Sequence, residues 1–108
     1  MSVRMQKNWL PFDEHHIGQV KGQLGVFQIG DEHGQVQYIG CADARSLFGL
    51  KGELQSWSGK AHSFRIEVTS AYQTRYRELL MVHIADHGTP PPLNDPASLP
   101  RLGRLSPG

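Results

Sequence analysis

Gly25-Val26-Phe27-Gln28-Ile29-Gly30-Asp31-Glu32-His33-Gly34-Gln35-Val36-Gln37-Tyr38-Ile39-Gly40 is the stretch that decides the fold. On its outgoing run Phe27 and Ile29 share one parity, with Gln28 between them on the other. On the return run Val36 and Tyr38 share a parity, opposed by Gln35 and Gln37. A strand sends alternate side chains to opposite faces, so this alternation reads as two strands. The tip, Gly30 to Gly34, is polar, acidic and bounded by glycine, which predicts a β-hairpin. Gly25 and Gly40 lie within the strands. There a missing side chain marks a bulge or a close approach by another group.

Upstream, Trp9-Leu10-Pro11-Phe12 leads into Asp13, an N-cap residue with Glu14 behind it, and predicts a short helix over about 13–19. His15 and His16 on that helix read as surface polar residues, since no third metal ligand accompanies them. Downstream, Leu47, Leu50, Leu54 and Trp57 recur at helical spacing. Gly49 and Gly52 each weaken a helix by roughly 1 kcal/mol relative to Ala, so this one is short, starts late and depends on packing. From His62 to Thr69, Phe64, Ile66 and Val68 alternate with Ser63, Arg65 and Glu67, a third strand with one wet face. Ser70 and Gln73 read as a capping box that opens a long helix. Tyr72, Tyr76, Leu79, Leu80, His83 and Ile84 form its buried stripe, and Gly88 stops it.

The last stretch, Thr89 to Gly108, carries six of the seven prolines. Residues 1–11 read as an N-terminal arm, 12–95 as the domain and 96–108 as a flexible Pro-rich tail, with 89–95 packed back on the domain. The fold class is α+β: a small three-stranded sheet, made of the antiparallel hairpin plus a third strand, flanked by helices.

A chain of 108 residues holds one domain with one modest core. Eleven basic and ten acidic residues leave a net charge of +1, without the basic excess that phosphate-bound domains usually carry. Cys41 is the one cysteine, so no internal disulfide forms, and a reduced, cytoplasmic setting fits best. No apolar run reaches the length of a membrane span, and the N-terminus lacks the apolar core of a signal peptide.

Gly25-Val26-Phe27 and Tyr38-Ile39-Gly40, ten residues apart, resemble the two motifs that name the GIY-YIG domain. The second motif matches letter for letter and the first only as Gly-Val-Phe. The order of elements behind them extends the resemblance over residues 12–95, ending on Asn94. It implies the place of the third strand in the sheet. It also implies a nuclease ancestry, in which one divalent cation (Mg2+ or Mn2+) is held by a Glu on the long helix. An Arg on the preceding helix steadies the phosphate, and two tyrosines orient the attacking water. Magnesium takes oxygen ligands, and a phosphoryl group takes a fixed guanidinium, so these residue types suit the reaction.

Measured against that pattern, the site is degenerate. Phe27 stands where the first motif has its Tyr and keeps only the ring, while Tyr38 retains its phenol. With the glycine-bearing stretch before Leu50 read as an insertion, the Arg position falls on Glu53, and Arg45 remains as a loop substitute. Anchoring on Asn94 puts the metal carboxylate at Leu80. Glu78, the nearest acid, lies about 200° round the helix and reads as a solvated partner of Arg75 or Lys60. In a register shifted by two, Glu78 becomes the ligand.

Three functional readings follow. The first is a non-catalytic GIY-YIG-like domain, without cofactor, that serves as an accessory subunit and binds a protein partner through Phe48, Leu50, Trp57 and the Pro-rich tail. The second is a divergent nuclease using Tyr38, Arg45 and Glu78 as catalytic residues, with Glu78 on the metal. The third is a non-catalytic nucleic-acid binder. For that reading Arg45, Lys51, Arg65, Arg75 and Arg77 would have to gather, although Asp43, Glu53, Glu67 and Glu78 are interleaved with them. His83 and His87, four apart on one helix, would need Cys41, Asp86 or His62 to complete a zinc site. Cys41 itself reads as a small filler. Phe48 either tucks under its helix or projects as an anchor.

Overall fold

The computed structural model describes residues 4–43 and 48–100. Arg45 and Leu47 lie outside the described residues. The hairpin forms as two antiparallel strands, β2 (Gly25–Gly30) and β3 (Val36–Ala42). Asp31 builds its tip: one carboxylate oxygen accepts from the backbone N–H of His33 and of Gln35, both at 2.9 Å. Gly34 completes the turn at φ 75°, in the left-handed region that glycine enters without a Cβ clash.

The remaining elements are β1 (Leu10–Pro11), α1 (Glu14–Gln19), α2 (Gly49–Gln55), β4 (Ser63–Val68) and α3 (Tyr72–His87). The sheet has four antiparallel strands in the order β1-β4-β2-β3, one more than the sequence predicts. The extra strand is two residues long, too short for any alternation to show. Asp13 caps α1, accepting from the backbone N–H of His16 at 2.8 Å.

The central strand β2 is buried on both faces, and its parity divides the core. Phe27 and Ile29 join Ile17, Leu50, Leu54 and Phe64 beneath α1 and α2. Val26 joins Ile39, Leu79, Leu80 and Met5 beneath α3. Met5, within the stretch read as an arm, is therefore a core residue.

Two local expectations are corrected. The capping box at Ser70 does not form: Ala71 occupies the N-cap without a side-chain bond, and Thr69 Oγ1 accepts from the Ala71 N–H at 3.1 Å instead. The fully buried face of α3 comprises Leu79, Leu80 and Val82, with Tyr72, Tyr76, His83 and Ile84 only partly covered. Gly88 ends that helix at φ 81°, as its type predicts.

Beyond it, 89–95 packs back. Asn94, buried, accepts the Ile39 N–H and donates to the Ile39 carbonyl, both at 2.9 Å, along the outer edge of β3. Pro96–Ser98 then form a 3-10 turn capped by Asp95, and Leu99 packs on the second cluster.

Candidate functional site

The second motif sits on β3 with Tyr38 turned toward α2. Its ring lies 5.8 Å from Phe27 and 4.6 Å from Trp57, centroid to centroid. Gly40 makes this stacking possible. A Cβ there would come within 2.5–2.7 Å of both the Phe27 and Tyr38 rings. Gly25 is equally constrained, because a Cβ would strike the Glu67 carbonyl oxygen across the β2–β4 pair.

Burial, then the charge of Glu53 and the nearby Cys41, push the Tyr38 phenol above its ordinary value. Burial, then Tyr38 and Cys41, push Tyr76 up to about 12. Burial also raises the Cys41 thiol, with Asp43 and Glu53 adding to it. All three groups stay protonated near neutrality, so none is an activated nucleophile or base. Glu53 is the charge facing Tyr38, in the place where the resemblance implies an arginine.

Glu78 lies elsewhere. It is ion-paired with Arg75, which also grips Glu67 on β4 at 2.7 Å. Glu67 pairs with Val26 and so shares the α3 face, whereas Tyr38 pairs with Ile29 and belongs to the α2 face. The sheet thus separates Tyr38 from Glu78. Leu80, at the implied metal position, is fully buried in the second cluster. This donor set does not fit the divalent cation of the nuclease family. Among the described residues, no three His, Cys, Asp or Glu side chains come together to hold a metal ion. His83 and His87 stack with centroids 4.4 Å apart, and Asp86 is engaged by Arg4.

The partner-binding candidates divide. Leu50 is fully buried in the first cluster and is a packing residue, not a surface anchor. Trp57 is partly buried against Tyr38. Phe48 projects: its side chain is 70% exposed, and its backbone at φ 66° is the one non-glycine residue in the left-handed region among those described. The loop at 22–24 holds it there. Leu50 N–H donates to the Gln23 carbonyl at 2.9 Å, and a Cβ on Gly22 would come 2.9 Å from the Phe48 carbonyl oxygen.

Two exposed apolar residues flank the same corner, Leu24 at 36% and Val68 at 51%. Thr69 N–H donates to the Leu24 carbonyl at 3.1 Å, and Val68 pairs with Gly25, so 22–24 links both to Phe48. Sequence reading missed this pair. The signal for Val68 is its place as the last apolar residue of β4, beyond the cover of a helix.

Among the described residues, the basic side chains singled out in the sequence do not gather. Arg75 is neutralised by two carboxylates, Arg65 stacks on Trp9 at 4.2 Å on the α3 side, and Lys51 lies on α2. No described helix is long and apolar enough to cross a membrane. A search of curated proteins finds no match. A family model described as a domain of unknown function (DUF7508) matches residues 3–86.

Proposed function

As the chain belongs to the DUF7508 family, a domain of unknown function, we propose that it is a non-catalytic interaction domain, an accessory subunit that docks a protein partner in the cytoplasm. The hairpin frame acts as a scaffold, in keeping with a GIY-YIG-like domain whose catalytic positions have been lost. The observation that carries this reading is Phe48. A bulky side chain in the left-handed region costs about 1–2 kcal/mol. Here that strain holds a large ring out in water, an arrangement that suits an anchor for a partner's pocket. Leu24 and Val68 widen the apolar contact beside it.

The nuclease reading with Mg2+ or Mn2+ has less support, because the sheet divides Tyr38 from Glu78 and Arg75 occupies the carboxylate. The nucleic-acid reading has less support because paired and scattered cations make no continuous patch. No cofactor enters the proposal. The half-buried thiol of Cys41 suits a reducing compartment.

A photo-crosslinking residue at position 24 tests the proposal in cells. Covalent capture of a defined protein is expected, with capture lost in the Phe48→Asp variant and no DNA cleavage by the purified protein with Mg2+ or Mn2+. Capture indifferent to Phe48→Asp, or cleavage abolished by Tyr38→Phe or Glu78→Ala, overturns it.

A further inference from the structure

Independently of that docking corner, we propose that a cavity between the N-terminal stretch and the last turns of α3 is an anion site that takes a phosphate group. The cavity, about 180 Å³, lies on the α3 face of the sheet. Arg4, Gln28, Arg65, His83 and His87 supply its polar wall, and Met5 and Leu79 part of its apolar one. At about 30 Å³ per water it holds roughly six waters, or one phosphate and part of its hydration.

Arg65 is the central observation. It is half-buried on β4, and its partners are all neutral: Gln28 Oε1 at 2.7 Å, the Lys7 carbonyl at 3.2 Å and the Trp9 ring. Among the described residues no carboxylate meets it. A guanidinium carries five N–H donors, and these contacts use two of them. Desolvating a cation without a counter-charge is costly, and a bound anion would offset that cost.

Gln28, the partner of Arg65, adds to this. Its side chain is only 4% exposed and lines the cavity. Its oxygen is taken by Arg65, while its amide nitrogen has no partner among the described residues. That nitrogen is not sealed off, since Ser63 Oγ is the one fully buried side-chain polar atom without a partner among the described residues, so a ligand oxygen or water in the cavity can meet it.

The charges agree. Asp86, the acid at this cavity, is held by Arg4 through two bonds of 3.0 and 2.6 Å, and this contact keeps its carboxyl below the ordinary range. The groups facing the cavity are therefore Arg4, Arg65, Asp86 and the two imidazoles, with neutral Gln28 from β2 and apolar Val36 from β3. Arg4, Arg65 and Asp86 together carry one net positive charge, and protonation of His83 adds to it. Burial, then the neighbouring His87, lowers the His83 pKa, so its proton arrives below the usual histidine range unless an anion draws it in. Gln28 of β2, Arg65 of β4 and His83 and His87 of α3 all line the cavity. A guanidinium beside further N–H donors suits an oxyanion such as phosphate.

The test is a titration of the full chain, followed by NMR and calorimetry, with three probes: inorganic phosphate, a small sugar phosphate, and sulfate, whose charge is constant across the range. Shifts are expected at the His83 and His87 rings and the Gln28 side-chain amide. Sulfate affinity should rise at least fivefold from pH 7.5 to pH 5.5. Tighter binding of the sugar phosphate identifies a phosphomonoester as the ligand, and equal binding identifies the free ion. Arg65→Gln and Gln28→Leu should each weaken binding about tenfold. Should either variant fail to fold, the double variant His83→Gln, His87→Gln decides: it should bind at pH 7.5 but lose the acid enhancement. The absence of shifts at these residues, or an acid enhancement that survives the double variant, overturns the site.

Discussion

Phe48 shows how far a single residue type can be read. The sequence marks it as apolar within Leu47-Phe48-Gly49-Leu50 and leaves two orientations open. What decides between them is the backbone at φ 66°, imposed by the approach of 22–24, a contact between segments with no local signature. Such a residue carries cost without packing gain. Phe48→Asn should therefore stabilise the fold by about 0.5–1 kcal/mol, because Asn tolerates the left-handed region. In thermal unfolding that is a rise of several degrees in Tm, since about 1 kcal/mol corresponds to about 4–8 °C in a domain near this size. Unchanged or lowered stability would show that the ring's contacts outweigh its strain. The glycines were more legible. Gly25 and Gly40 stand out as interruptions of alternating strands, and both prove to be places where a Cβ meets a neighbour.

Among the elements, those with a strong period were visible and those held by partners were not. The hairpin, α1, β4 and α3 follow from alternation, an N-cap or a terminal glycine. β1 escaped notice because two residues have no period; it exists only because Leu10 and Pro11 run beside Phe64 and Ser63. The site was legible in part. Leu80 in the core and Glu78 with Arg75 are where helical geometry puts them, whereas the pairing of Gln28 with Arg65 between neighbouring strands has no sequence signal. Asn94 gives an element-level prediction. Its amide closes both backbone groups of Ile39, so Asn94→Leu leaves a buried N–H and C=O unpaired. Each such group costs about 1–3 kcal/mol. A loss of roughly 2–6 kcal/mol in denaturant unfolding is expected, with faster hydrogen exchange at Ile39. Exchange unchanged at that amide would count against the assignment.

Across the molecule, β2 ties the two clusters together, since Val26 enters one and Phe27 and Ile29 the other. Neither side can be lost while the other keeps its central strand, so unfolding should be a single transition. The two tryptophans report on it separately. Trp57 packs on the α2 side, and Trp9 stacks on Arg65 on the α3 side. Fluorescence of the Trp9→Phe and Trp57→Phe variants should each fall on the same denaturant midpoint as that variant's own far-UV circular dichroism. Divergent midpoints would mean that the faces melt independently.

Asn94 has one more effect, on crowding rather than on stability. By imitating a neighbouring strand along Ile39, it covers that part of the sheet margin, where an incoming strand would otherwise find a free N–H and C=O. Fibre growth needs two open margins on every copy. Copies of this chain that met strand to strand along β3 would find Ile39 already taken, and Asn94 would have to leave first.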